Sequence, residues 1–214
     1  MSEVQSASTP VIGVLNRAFA ILDAVEMRSM TVSDMARMLE LPMTTVHRLS
    51  NDLTEFGFLR KNEDGLYSIG HRFKTMGIAE AATPVLRELS EETDESVQVW
   101  VRRGEYRLCI ASVDSSQEIR AIMPVGTMLK LPGGSGGRVL VGQHPSLVEH
   151  NWVVSMSERI EGLGSISAPV KIQQETVAAV CLSGPVYRIG PDPGAKYGER
   201  VLEAASKIES VMAQ

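Results

Sequence analysis

The chain has 214 residues, 43% of them hydrophobic and 22% charged, a globular composition long enough for two small cores or one large one. A formal net charge of -5 excludes any general attraction for polyanions, so a nucleic-acid surface would have to be locally basic. No run approaches the roughly 18 apolar residues of a membrane span, and the polar start MSEVQSASTP lacks the basic-then-apolar order of a secretory signal, so a cytoplasmic location is expected.

In chain order, Leu15, Ala18, Phe19, Leu22 and Val25 fall at helical spacing and predict a first helix over residues 14–27. Thr31 stands three residues before Asp34 as an N-cap, and Val32, Met35, Ala36 and Leu39 supply a second, short helix. Pro42 disfavours helix at Leu41 but suits a helix start. A third helix follows, with a core stripe of Val46, Leu49, Leu53 and Phe56 and a stop at Gly57. Its outer face carries Thr44, Thr45, His47, Arg48 and Asn51.

FLRKNEDGLYSIG then reads as two short strands around a tight turn at Asp64-Gly65. Three helices and a hairpin make a winged helix-turn-helix. Such a unit lays its third helix in the major groove, where Arg48 would fork onto a guanine while Arg60 and Lys61 follow the phosphates. Winged helices also dock proteins, and residues 1–75 hold 8 Lys/Arg against 9 Asp/Glu. Charge does not select DNA; the pattern favours it.

HRFKTMGIAEAA predicts a helix linking two domains, and TPVLRELSEETDES an amphipathic helix with Val85, Leu86 and Leu89 inside. VQVWVRRG, YRLCIASV and EIRAIMPVG predict an antiparallel meander, GSISAPVKI and TVAAVCLSG two further strands, and YGERVLEAASKIESVM a last helix. The order is that of an α+β domain, its sheet covered by helices on one side, with a ligand between sheet and loops.

Between the meander and the later strands lies KLPGGSGGRVLVG. It lacks the spacing and Lys-Ser/Thr ending of a phosphate loop, and a meander is the wrong setting for a dinucleotide fingerprint. A side-chain-poor loop entering a helix presents free N–H groups and the positive end of the helix dipole, which suits a small anion such as a carboxylate. Glycines that merely allow close packing on the sheet explain the stretch equally well.

Catalytic and metal-binding signatures are sparse. Cys109 and Cys181 sit in apolar runs without CxxC spacing, and read as buried free thiols of a reducing compartment. His47, His71, His144 and His150 are scattered, and no Ser-His-Asp set, HExxH or EF-hand loop is present. No cofactor, no metal and no enzymatic activity are expected. The competing reading is a nucleotide- or phosphate-binding sensor or enzyme that uses the glycine stretch, with a protein-docking winged helix.

LPMTTVHRLSNDLTEFGFLRKNEDGLYSIG resembles the DNA-binding half of the IclR family of bacterial transcriptional regulators, and SERIEGLGSISAPV and VAAVCLSGP resemble its effector-domain signature. LCIASV, MPVG, GGSGGRVL, ISAPV and LSGP are most similar to the actinobacterial branch that controls leucine and related amino-acid biosynthesis. The resemblance implies a winged helix-turn-helix over residues 11–70, a linker helix over 71–82 and a GAF-like effector-binding domain over 83–214. It further implies a repressor-type regulator acting as a homodimer or dimer of dimers on palindromic double-stranded DNA. Its effector, a small carboxylate or amino acid, would meet the loop-to-helix amides of Ser135 and Gly136, then Ser155, Ser165, Cys181 and Ser183. Ser155 replaces the family's commoner aspartate, Lys171 its usual aromatic or histidine, and the joins Ile78–Pro84 and Gln143–Trp152 are short against its pattern.

Overall fold

The computed structural model describes residues 13–75, 77–142 and 144–213. The polar N-terminal stretch, Gln143 and the side chain of His71 lie outside the described residues. The chain divides into two compact units, Met1–Phe73 and Lys74–Gln214.

Unit 1 holds α1 (Gly13–Met27), α2 (Val32–Met38), α3 (Met43–Glu55), β1 (Leu59–Lys61) and β2 (Tyr67–Ile69). Its core joins Ile21, Leu22 and Val25 of α1 to Met35, Val46, Leu49, Leu59 and Tyr67. Thr31 caps α2 as its spacing predicts, accepting from the Asp34 N–H at 3.2 Å. The hairpin pairs Leu59 with Ile69 and Lys61 with Tyr67, and its turn is held by the Asn62 side chain, which accepts from the Leu66 N–H at 2.8 Å. Gly65 takes φ +79 there, a left-handed conformation that glycine adopts without strain. β2 also bridges to Met30, so the wing is tied to the start of α2 by a contact no local pattern announces.

Two details of the helical stripes differ from the sequence reading. Leu15 and Phe19, expected inside, are 47% and 59% exposed, and α1 buries Ile21 and Ala24 instead. Phe56, the expected last member of the α3 stripe, is 63% exposed because the helix ends there and the chain turns at Gly57, leaving Phe58 to pack inward.

After α4 (His71–Lys74), unit 2 contains α5 (Ile78–Thr93), β3 (Ser96–Arg103), β4 (Tyr106–Val113), β5 (Met128–Lys130), α6 (Gly134–Val141), α7 (Pro145–Glu149), β6 (Val153–Met156), β7 (Leu163–Ile172), β8 (Glu175–Pro185), α8 (Val186–Ile189) and α9 (Pro193–Met212). The two helices expected on either side of residue 82 are one. Residues 78–82 form the first turns of α5, Pro84 lies within it, and Ile78 and Ala82 are fully buried in the core of unit 2. The six strands form one antiparallel sheet in the order β5-β4-β3-β8-β7-β6.

Strand alternation divides this sheet into two faces. Val97, Val99 and Val101 of β3, Ile166, Ala168 and Val170 of β7, and Ala178, Val180 and Leu182 of β8 pack beneath α5 and α9. The intervening residues, Trp100, Ala179 and Cys181, pack with Val139 and Leu140 of α6. Helices therefore lie on both faces, not one. The β3–β4 register slips by a residue between Val99 and Trp100, a bulge that leaves Ala111 opposite Val99 but turns Cys109 to the α6 side with Trp100.

EIRAIMPVG is not a strand. It runs as irregular chain before β5, with Ile119, Ile122 and Val125 65%, 58% and 62% exposed, so its β-type residues serve a surface or a cavity and not a ladder. β6, an edge strand preceded by α7, escaped the sequence reading because a four-residue run carries too little alternation to be recognised.

Candidate functional site

On unit 1, α3 follows Pro42, which gives no side-chain cap but whose carbonyl accepts from the Thr45 and Val46 N–H groups. Thr44, His47, Arg48 and Asn51 are exposed and Thr45 is half-buried. Among the described residues the Arg48 guanidinium has no hydrogen bond or ion pair. Asn51 is engaged: its Oδ1 accepts from the Tyr67 hydroxyl at 2.9 Å, and its Nδ2 lies 3.4 Å from His47 Nδ1. This links α3 to the wing. Arg60 donates to Ser68 at 2.9 Å, and Lys61 Nζ lies 5.2 Å from the centre of the Tyr67 ring.

On unit 2, a cavity of about 340 Å³ opens on the α6 face of the sheet. Four residues singled out by the resemblance, Ser155, Ser165, Cys181 and Ser183, line it. β6, β7 and β8 bring them together, with Ser155 paired across to Ser165 and Ser165 to Ser183. Ser135 lies just behind the wall, its Oγ 2.8 Å from both Ser165 Oγ and Ser167 Oγ. Gly136 packs against Arg107 and Trp100. Lys171 is engaged elsewhere, donating to Asn151 at 3.0 Å.

The glycines serve both readings left open by the sequence. Gly134 lines the cavity at φ +69, while a side chain on Gly137 would come within 2.5 Å of the Pro132 carbonyl oxygen. The loop is bare toward the cavity and tightly packed behind it.

The sequence reading missed Gln98, Trp100 and Arg107 in the cavity lining, and Ser167 behind it. The signal was present as a glutamine in VQVWV and an arginine ahead of LCIASV, polar residues inside otherwise apolar strands. The Arg107 guanidinium stacks 4.3 Å from the centre of the Trp100 ring and is 4% exposed. Burial holds its pKa below the usual arginine value, and the nearby Arg159 charge adds to the effect. Glu158 stands nearby but is committed, accepting from Ser155 Oγ at 2.7 Å and pairing with Arg138 at 2.6 Å. The Ser155 hydrogen bond, helped by Arg138 and the Gly134 N–H, holds its carboxyl below the ordinary range. Burial pushes the Cys109 thiol up to about 11. Among the described residues no His/Cys/Asp/Glu group could hold a metal ion, and no helix is long and apolar enough to cross a membrane.

Two family models match the chain, the IclR helix-turn-helix domain over residues 14–63 and the bacterial transcriptional regulator IclR C-terminal domain over residues 70–152. The chain belongs to the IclR family. The HTH-type transcriptional regulator KipR of Bacillus subtilis is 32% identical over 161 residues, covering 71% of this chain and 64% of KipR, so the chain spans under two thirds of that relative. BhcR of Paracoccus denitrificans, another HTH-type transcriptional regulator, is 26% identical over 245 aligned residues, covering 94% of this chain and 88% of BhcR. That alignment is longer than the chain itself, so BhcR carries internal segments that this IclR-family chain lacks.

Among solved structures, an IclR-family regulator from Rhodococcus sp. superposes with a TM-score of 0.60 at 24% identity, over 96% of this chain and 98% of that one. An IclR homologue from Microbacterium hydrocarbonoxydans, complexed with 4-hydroxybenzoate, gives 0.56 at 18% identity, over 94% and 99%. At these identities the likeness establishes the IclR fold, an α+β arrangement of helix-turn-helix unit and antiparallel sheet with helices. The protein is a DNA-binding transcriptional regulator of the IclR type, not an enzyme.

Proposed function

We propose that this regulator binds an operator through α3 and its wing, and that a small organic acid or amino acid in the unit 2 cavity biases that binding. The observation that carries the proposal is the cavity itself, lined by Ser155, Ser165, Cys181 and Ser183 beside the N-terminal turn of α6. The Microbacterium homologue's 4-hydroxybenzoate, a carboxylate, supports an acid as ligand. A ligand shifts DNA affinity only by binding two states of the protein unequally.

In this reading the domains are residues 11–70, 71–82 and 83–214, and Thr44, Thr45, His47 and Arg48 face the groove while Arg60 and Lys61 ride the backbone. Asn51 orients His47 and the wing through Tyr67. The exposed Leu15 and Phe19 of α1 support assembly as a homodimer on a palindromic site in the cytoplasm, since two copies would cover that apolar strip. The similarity of its cavity segments to the leucine-biosynthesis branch suggests amino-acid genes as targets.

The test is fluorescence anisotropy on the protein's own promoter region against random duplex, across salt concentrations, then repeated with candidate acids. Salt-sensitive binding that prefers the promoter and moves with an acid supports the proposal. Equal affinity for both duplexes would sink it.

A further inference from the structure

Three buried side chains at the cavity hold hydrogen-bonding atoms with no partner among the described residues: Arg107 Nε, Gln98 Nε2 and Trp100 Nε1. All three are donors. Gln98 and Trp100 are each 1% exposed, and the Gln98 Oε1 is taken by the Ser183 hydroxyl at 3.1 Å, which leaves its NH₂ as the free end. Natural interiors leave few donors unpaired, so three around one cavity point to acceptors that arrive from outside.

The charges agree with the donors. Arg107, Arg120 and Arg159 line the cavity, and among the described residues no Asp or Glu does. Arg120 donates to the Gln117 carbonyl at 3.1 Å, whereas Arg107 and Arg159 have no ion pair among the described residues. Glu158, whose charge acts on Arg107, is held by Arg138 and Ser155. A second source of positive potential faces Arg107. Cβ positions built on Gly134 and Gly136, in the first turn of α6, lie 3.3 Å from its Nη2 and 2.7 Å from its Nη1, so the guanidinium rests against the positive end of that helix. Two like-signed partners held this close are relieved by an anion and made worse by an ammonium group.

Resting on the reading of this cavity as the effector site, we infer that the effector is a dicarboxylate with a short apolar body and no ammonium group. One carboxylate is held by the Arg107 fork with Gln98 and Trp100. The other lies toward Arg159, and the body lies along Ile122, Met123, Ile160 and Leu163. Arg107 is its anchor.

Matched probes test this on the full chain by thermal shift and calorimetry: phthalate against benzoate, 3-methylglutarate against 3-methylbutanoate, with L-glutamate, L-leucine and inorganic phosphate alongside. In at least one pair the diacid is expected to bind about tenfold tighter than its monoacid, and L-glutamate to give no shift. Arg107→Gln should weaken the diacid by about a hundredfold yet leave the ligand-free melting temperature equal or higher, because it removes a buried charge that has no ion pair among the described residues and gives up only its stacking on Trp100. Arg159→Gln, at an exposed position that threatens folding less, should remove the diacid's advantage and leave the monoacid unchanged.

Equal binding within both pairs overturns the dicarboxylate while leaving an acid effector standing. A lower ligand-free melting temperature for Arg107→Gln with unchanged affinity makes that residue structural and overturns its role. Binding of L-leucine or phosphate alone, or of none of the probes, overturns the inference; with none binding and no acid altering operator affinity, the effector reading falls as well.

Discussion

Gly136 and Gly137 are adjacent in the first turn of α6, and replacing each with alanine should have opposite consequences. Both substitutions gain helix propensity, about 1 kcal/mol at most. At Gly137 the new Cβ would sit 2.5 Å from the Pro132 carbonyl oxygen and 2.7 Å from its carbon, atoms of a backbone that cannot rotate away. Overpacking against rigid backbone at such distances lies in the upper part of the usual range, about 2–3 kcal/mol, so Gly137→Ala is expected to lose about 1–2 kcal/mol net. At Gly136 the close neighbour is Arg107 Nη1 at 2.7 Å, the far end of a side chain that can swing toward the cavity. Gly136→Ala should therefore stay within about 1 kcal/mol of the parent while displacing the guanidinium and weakening acid binding. Urea unfolding followed by tryptophan fluorescence isolates the effect, because Trp100 and Trp152 both belong to unit 2. A Gly137→Ala variant as stable as the parent would refute the steric argument.

Arg188→Met should destabilise unit 2 by about 3–5 kcal/mol, since it strands a buried carboxylate: Glu95 is 1% exposed and receives Arg188 Nε and Nη2 at 2.7 and 2.8 Å. A loss under about 1 kcal/mol in urea unfolding would show that water replaces the guanidinium. The Cys109 thiol, pushed up to about 11 by burial, keeps its proton in the folded state while the unfolded thiol ionises near 9, so its contribution is complete below about pH 9 and is lost as pH rises toward 11. The unfolding free energy of the parent should fall more steeply over that window than that of Cys109→Val; parallel curves would remove the effect. Arg48→Ala should relax base preference by about 1–3 kcal/mol, and Lys61→Ala should weaken all duplexes alike and lower the salt slope by about 1. Equal losses for Arg48→Ala on promoter and random DNA would take it out of base reading.

Local physics made unit 1 legible. Helical periodicity, the Thr31 cap and the Asp64-Gly65 turn each act within a few residues, and three helices and a hairpin follow from them. The Met30–Tyr67 bridge and the Asn51–Tyr67 hydrogen bond did not, because they depend on where the wing folds back. In unit 2 the main strands were legible except where composition misled. EIRAIMPVG has strand-forming residues but turns them to solvent and cavity. Ser155, Ser165, Cys181 and Ser183 were reached through family resemblance. Arg107 was not, since whether it faces the helical core or the cavity depends on the β3–β4 register, and one bulged residue decides that.

The alternation of β3 and β8 gives this domain a way to change its cavity without unlearning how to fold. Val97, Val99, Val180 and Leu182 hold the helices, while their immediate neighbours Gln98, Trp100, Cys181 and Ser183 look into the cavity. Stability and chemical preference are thus written on alternate letters of the same two strands. A substitution at a cavity-facing position redraws the donor pattern without altering a side chain of the helix-packed face, so the lining of such a scaffold can be rewritten one residue at a time.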